Sequence, residues 1–208
     1  MGKKKAFLLL IFVLMTGLKN LAQSCKFSVQ YAGQPYSMNT LIYSPTDTAI
    51  VMQLKCYVRY LHPKKQVWEH QLMDFYLAEK PIELKLPRGA DSIQLFFGVD
   101  SALQEKGVGT GDLDPKNNMY WGWFPGYIGV KVEGISELYG GFEYHLGGFR
   151  RFNANQSFLW VKPGGNYSID VGEFISKIPK EKEGKIMSPG PEIPKIIQYF
   201  VECIHEQR

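Results

Sequence analysis

Apolar and polar residues alternate along most of this chain, and a period of two is typical of strands that bury one face. In KFSVQY, Phe27, Val29 and Tyr31 alternate with polar residues. A longer run, IVMQLKCYVRYL, places one apolar row on a single side: Ile50, Met52, Leu54, Cys56, Val58 and Tyr60. Similar runs follow as VWEHQLMDFYL, SIQLFFGV, GYIGVKVEG, GGFEYHLGGF, QSFLWV and NYSIDV. The pattern therefore predicts an all-β fold.

Clusters of Gly, Pro, Asn and Asp, which favour turns, separate most of these runs. Short strands at this spacing indicate an antiparallel sandwich or barrel, and we predict a single-domain antiparallel β-sandwich with long loops. One loop stands out. Asp100 can cap a helical turn over residues 101–105, and the chain then continues as GVGTGDLDPKNN. Ordered loops of this length are more often functional than merely connecting.

The C-terminal segment follows a helical period instead. In EIPKIIQYFVECIHEQR, apolar residues recur on one helical face and charged residues lie opposite. The apolar face consists of Ile193, Ile196, Ile197, Phe200, Cys203 and Ile204. We predict a short C-terminal helix that closes the sandwich.

The N-terminus has the three regions of a secretory signal peptide: lysines at positions 3–5, an apolar run over residues 6–15, and the segment LAQSC. The apolar run is shorter than the roughly 20 residues of a membrane span, so a retained anchor is the less favoured alternative. We predict a signal peptide over residues 1–23 and one exported domain, periplasmic or at the cell surface, over residues 24–208. No later segment is apolar enough to be transmembrane.

Charge excludes one class of partner. The whole chain carries a formal net charge of +4, with 24 basic and 20 acidic residues. The signal peptide contains four of those lysines and no acidic residue, so its removal leaves as many basic as acidic residues, 20 of each. The mature domain therefore has no global charge that would attract nucleic acid or an anionic lipid surface.

Three cysteines are present, and an odd number in an exported protein leaves one unpaired or modified. Cys25 follows LAQS and could carry the lipid of a bacterial lipoprotein. However, the preceding residue is Ser, and a strand-like run begins at once, so cleavage after Ala22 or Gln23 is the favoured alternative. If Cys25 carries the lipid, Cys56 and Cys203 remain as candidates for a disulfide.

The glycine-rich loop offers two interpretations. Its glycines are not followed by Gly-Lys-Ser/Thr, so a phosphate-binding loop is excluded. Asp112 and Asp114 could hold calcium through oxygen ligands, although Lys116 occupies the position of a third ligand. Alternatively, these aspartates form turns in which the side chains bond the loop's own backbone.

Histidine placement indicates no hydrolytic centre. The chain has four histidines, none in a His-Glu-x-x-His pair, and no Gly-x-Ser-x-Gly elbow. Since no general acid, base or nucleophile set can be named, we predict that the protein is not an enzyme.

His70 is expected to be structural. His145 lies on the opposite face of its strand from Phe142 and Tyr144, and it is flanked by glycines that allow another element to approach closely.

The segment NNMYWGWFPGYIG concentrates aromatic residues where glycine and proline prevent a helix. If it is extended, Trp121 and Trp123 face the same side. Three interpretations remain open: core filling, a platform on which a sugar or quinone stacks, and oxidative or metal chemistry at an indole. Nearby, Met119 offers a thioether, a ligand suited to copper(I).

Several motifs, in this order, resemble the MbnP-like family of periplasmic proteins, named after the methanobactin-locus partner. They are LFFGVDS, GDLDPKNNMYWGWFPGY, FEYHLGGF and KIMSPGP, and the resemblance extends from about Phe27 to the C-terminus. Related members include copper-binding surface proteins of methane-oxidising bacteria.

The resemblance implies a β-rich exported protein that binds copper. It also implies that a partner di-haem cytochrome c peroxidase oxidises a tryptophan to kynurenine, which then ligates copper(I) together with histidines. Carried over, Trp121 or Trp123 is the oxidation candidate and His145 a ligand, with His70 and Met119 as further metal candidates. The alternative from another class is a carbohydrate-type binding or structural module that uses the tryptophan pair for stacking.

Overall fold

The protein's structure, a computed structural model, describes residues 23–45, 47–76, 80–123, 126–148, 157–179 and 184–207. The predicted signal peptide lies outside these ranges except for Gln23. That residue begins the first strand, and its side chain accepts a hydrogen bond from the backbone N–H of Gly89.

Strands make up most of the described chain. They are β1 (Gln23–Tyr31), β2 (Gln34–Pro35), β3 (Ile42–Tyr43), β4 (Thr48–Leu61), β5 (Trp68–Asp74), β6 (Ile82–Leu86), β7 (Ile93–Phe97), β8 (Tyr120–Trp121), β9 (Gly126–Ser136), β10 (Gly140–Gly147), β11 (Phe158–Val161), β12 (Asn166–Asp170), β13 (Lys185–Ile186) and β14 (Ile204–Gln207). The helices are α1 (Ser101–Lys106), α2 (Val171–Ser176) and α3 (Ile193–Glu202). Two 3₁₀ turns, Gly111–Leu113 and Pro115–Asn117, lie in the long loop.

These strands form two sheets, which confirms the predicted all-β class. The smaller sheet has the order β14-β12-β1-β2, with β6 also paired to β1. The larger sheet has the order β11-β7-β4-β9-β10-β13, with β3 and β5 paired to β4 and β8 paired to β9. Most pairs are antiparallel, as predicted, but β1 with β12 and β10 with β13 are parallel.

The long strand β4 connects the parts of the larger sheet. It pairs with β9 along residues 49–56, with β5 along 55–61 and with β7 at 58–59. The second half of β4 buries the predicted apolar row. In the first half, a bulge between Val51 and Gln53 shifts the alternation of buried and exposed residues. As a result, Val51 is buried and Met52 is exposed, so the prediction was wrong for Ile50 and Met52.

Helix α3 packs its predicted apolar face into the core, where Phe200 contacts Phe97 and Phe174 edge to face. The helix ends at Glu202, earlier than predicted. The chain then turns at Cys203 and pairs as β14 with β12, because the free edge of β12 offers backbone partners. A helix alone therefore does not close the fold. No described helix is long and apolar enough to cross a membrane.

The three cysteines are separate, buried thiols. The predicted disulfide between Cys56 and Cys203 was therefore wrong: Cys56 lies in the middle of β4, and Cys203 follows α3. Cys25, the candidate lipid site, is a core residue that pairs with Leu84 on β6. Burial raises the pKa of the Cys25 and Cys203 thiols to about 12 and also raises the pKa of Cys56.

Thiol titration tests this arrangement. Because a raised pKa suppresses the reactive thiolate and burial blocks access, native protein should not react with Ellman's reagent at neutral pH. After unfolding in guanidinium without reductant, all three thiols should react. A single reactive thiol after unfolding would instead show that two of the cysteines form a disulfide.

Candidate functional site

The long connection between β7 and β9 packs on the outer face of the larger sheet, opposite the main core. Beneath it lies a second apolar cluster formed by Tyr57, Val99, Met119, Trp121, Tyr127 and Ile128. Asp100 caps α1 as predicted, since its carboxylate accepts a hydrogen bond from the backbone of Leu103. The connection is therefore an ordered layer with its own core.

Two buried side chains fix this layer to β9. The fully buried Gln104 amide accepts a hydrogen bond from the backbone N–H of Tyr127 (2.7 Å) and donates one to its carbonyl (3.4 Å). The Tyr127 hydroxyl accepts from the N–H of Gly109 (2.8 Å) and donates to the carbonyl of Leu113 (2.9 Å). One residue of β9 thus holds α1 and both sides of the glycine-rich loop.

The carboxylates of the loop bind protein groups separately. Asp112 accepts a hydrogen bond from the backbone of Leu72 on β5 (3.0 Å). Asp114 caps the following turn through the N–H of Lys116 and also forms an ion pair with that lysine (3.1 Å). The described residues contain no group of three His, Cys, Asp or Glu that could hold a metal. This arrangement favours the turn interpretation over a calcium site built on Asp112 and Asp114.

The tryptophan pair lies at the end of this layer. Trp121 is 3% exposed and Trp123 is 65% exposed, with ring centroids 5.9 Å apart and the planes tilted by 44°. The two indoles are neighbours, one in the cluster and one at the surface. A Cβ atom on Gly148 would lie 3.5 Å from Cζ3 of Trp121 and 2.4 Å from Cγ of Pro189. The segments FEYHLGGF and KIMSPGP therefore meet beside Trp121.

His145 lies in β10, three residues before Gly148, on the outer face of the strand. It is 6% exposed, and its Nε2 lies 2.6 Å from Oε1 of Glu133 on β9. The same carboxylate forms an ion pair with Lys131 (3.1 Å), which is itself 3% exposed. The second ring nitrogen of His145, Nδ1, is buried and has no hydrogen-bond partner among the residues that the structure describes.

His70 belongs to a different part of the sheet. Its Nε2 lies 3.0 Å from Oδ2 of Asp100, and burial lowers the pKa of the imidazole. His70 pairs with Arg59 on β4, whereas His145 pairs with Lys131 on β9. These registers separate the two histidines by three strand spacings and several residues, on the order of 20 Å. They cannot share one ion, so the predicted set of His145, His70 and Met119 does not form.

Sequence reasoning missed the partners of His145. In the strand YIGVKVEG, alternation alone places Lys131 and Glu133 on an outer face, where charged residues are ordinarily solvated. A covering layer on that face cannot be read from alternation. The only available signal was that both charges follow the long loop directly and face a strand that contains a histidine.

A second missed feature is an aromatic face at the other end of the larger sheet. It consists of Leu61, Trp68, Phe96, Phe158 and Trp160. Each ring contacts the next in the order Trp68, Phe96, Phe158 and Trp160. The last of these, Trp160, is 57% exposed. The buried guanidinium of Arg59 lies 4.6 Å from the centroid of the Trp68 ring, a cation–π contact. Exposed aromatic surface is thus concentrated here, away from Trp123.

Comparisons with known proteins place this geometry in context. The family model MbnP matches residues 22–178, a range that includes Met119, both tryptophans of the pair and His145. No curated protein matches the chain. Among solved structures, MbnP from Methylosinus trichosporium is similar, with 11% sequence identity and a TM-score of 0.47 over 76% of this chain and 78% of that chain.

Proposed function

This chain belongs to the MbnP family, and from that premise we propose that it is an exported, non-enzymatic protein that binds copper through His145. The observation that carries the proposal is the buried Nδ1 of His145, which has no hydrogen-bond partner within the described part of the chain. Leaving a buried polar atom without a partner costs about 1–3 kcal/mol, so native proteins keep such atoms for a reason. A bound metal ion would satisfy this nitrogen.

The chemistry of the donor fits copper. Imidazole nitrogen is a good ligand for copper, and the burial of His145, which is 6% exposed, limits access of water. Bound copper would supply a Lewis-acidic and redox-active centre at this position. His70 and Met119 are left out of the proposed site, since Asp100 holds His70 and the apolar cluster contains Met119.

Maturation by tryptophan oxidation is part of the proposal, and the structure distinguishes the two candidates. Trp123 is largely exposed and accessible to an external oxidant, such as a di-haem cytochrome c peroxidase, whereas Trp121 is buried behind it. We assign the oxidised position to Trp123. Conversion to kynurenine adds two oxygen atoms, taken from water, across the indole C2–C3 bond, while four electrons pass to the oxidant and four protons to solvent. A further water then hydrolyses the N-formyl group and releases the C2 carbon as formate.

Copper titration tests the ligand. His145→Ala should lose at least tenfold in copper(I) affinity relative to the wild-type protein, as measured by competition with a chromogenic chelator. His205→Ala is the matched control, because that histidine is at the surface with a side chain 46% exposed. Equal affinities for wild type and His145→Ala would reject the site. A loss only in His205→Ala would show adventitious surface binding.

Peptide mass spectrometry of protein from its native host tests the maturation. The peptide that contains both tryptophans should gain the mass of two oxygen atoms less one carbon monoxide, and fragmentation should place the change on Trp123. Recombinant protein produced without the oxidant should keep both indoles. An unmodified pair in the native protein would reject maturation, and a change confined to Trp121 would reject the assignment by exposure.

The aromatic face favours a second candidate function, the binding of a neutral carbohydrate by stacking. Apolar patches of this kind mark interaction sites on soluble proteins, and Gln94 pairs with Trp160 across the strands to offer an amide beside the rings. The sequence pointed to Trp121 and Trp123 for this role. The geometry favours Trp68 and Trp160 instead.

Fluorescence titration with cello-, manno- and chito-oligosaccharides tests this candidate. Quenching should occur without metal, should disappear in Trp160→Ala and should persist in Trp123→Ala. If all three sugars leave the wild-type fluorescence unchanged, the stacking function is rejected. If quenching is lost in Trp123→Ala alone, the stacking site lies at the tryptophan pair.

A further inference from the structure

Glu133 occupies the centre of a buried ionic group on the outer face of the larger sheet. Its Oε1 lies 2.6 Å from Nε2 of His145 and 3.1 Å from Nζ of Lys131. The three side chains are 7%, 16% and 3% exposed for His145, Glu133 and Lys131, respectively. Covering three polar side chains to this degree requires that their charges and hydrogen bonds be matched.

The charge states follow from these contacts. The ammonium of Lys131 lies against the same oxygen, Oε1 of Glu133, that contacts His145, and this positive charge favours the ionised carboxylate. An ionised carboxylate only accepts hydrogen bonds, so the contacting nitrogen of His145 must carry the hydrogen. The other nitrogen, Nδ1, then keeps its lone pair when the ring is neutral.

The arrangement also balances charge. Lys131 and Glu133 carry opposite charges, so the pair adds no net charge beside the buried imidazole. Buried ion pairs contribute little net stability compared with apolar residues of similar volume. A role for the group in orienting His145 therefore explains its presence better than a contribution to folding does.

We infer that Glu133 is a positioning residue: it holds the His145 ring with hydrogen on Nε2, which makes Nδ1 the atom that coordinates copper. Lys131 in turn holds the carboxylate. This inference rests on the proposed function for the metal, but the tautomer and ring orientation are properties of the metal-free protein. In metal sites, partners of this kind raise ligand basicity and fix the ring, and their loss typically costs about 10–100-fold in metal affinity.

The chain provides a matched control in Glu143. This carboxylate lies on the same strand and face as His145, two residues away. It is 49% exposed and forms an ion pair with Lys185 at 3.4 Å. Replacing it removes a neighbouring negative charge and leaves the contact of His145 with Glu133 intact.

The first experiment reads the tautomer in metal-free protein by long-range ¹H–¹⁵N correlation of the histidine side chains. Wild type and Glu143→Gln should show His145 with hydrogen on Nε2 only. Glu133→Gln keeps an acceptor oxygen and should preserve this state, whereas Glu133→Ala should give a mixture of tautomers. Because Glu133→Ala leaves Lys131 buried without its partner, the double variant Glu133→Leu/Lys131→Met serves if the single variant fails to fold.

The second experiment measures copper(I) affinity in the same set. Affinity should fall about 10–100-fold in Glu133→Ala or the double variant, fall less in Glu133→Gln, and stay unchanged in Glu143→Gln. Hydrogen on Nδ1 in the wild type, or unchanged affinity after loss of Glu133, would overturn the inference. A wild type that has the Nε2 hydrogen but binds no copper would reject the proposed function and leave the positioning role of Glu133 established.

Discussion

The layer formed by the connection between β7 and β9 depends on one buried side-chain amide that bonds the backbone of a single residue. Gln104 uses both its donor and its acceptor on Tyr127, at the start of β9. Within a dry cluster such bonds are costly to break, because each lost partner leaves a buried polar group unsatisfied. The hydroxyl of Tyr127 extends the same anchor to the glycine-rich loop. The tryptophan pair lies at the end of this anchored layer, and the ionic group around His145 lies farther along β9.

Strand positions follow directly from alternation in this chain, and the reason is physical. A half-buried strand must place apolar side chains on every second residue, so Phe142, Tyr144 and Leu146 identify both the strand and its inner face. A bulge breaks this rule locally, which is why Met52 faces outward despite its place in an apolar row. Local pattern also does not distinguish parallel from antiparallel partners, since that depends on a distant segment. The strand after α3 was missed because Cys203 and Ile204 satisfy the helical period as well as the strand period.

For the candidate site, the residues that the sequence located differ more clearly from those that it did not. Motif resemblance located the tryptophan pair and His145, and the family match confirms that resemblance. What the sequence could not provide was which polar side chains lie under a covering layer. Lys131 and Glu133 look like ordinary surface charges until the layer above them is known, and only then does their contact with His145 acquire a chemical meaning. The separation of His70 from His145 was hidden for the same reason, because strand register sets it.

The parallel pairing of β1 with β12 has a consequence for the order of events during biosynthesis. Val29 faces Ile169, which lies 140 positions later in the chain, so the first strand acquires this neighbour only when most of the chain has been made. Contacts of such sequence separation make folding slow, because a long loop must close before they form. A chain that is threaded through an export channel from its N-terminus would therefore reach the far side with β1 still lacking this partner. The smaller sheet of such a chain would be completed only near the end of transit, and until then the unpaired edge of β1 would stay open to chaperones.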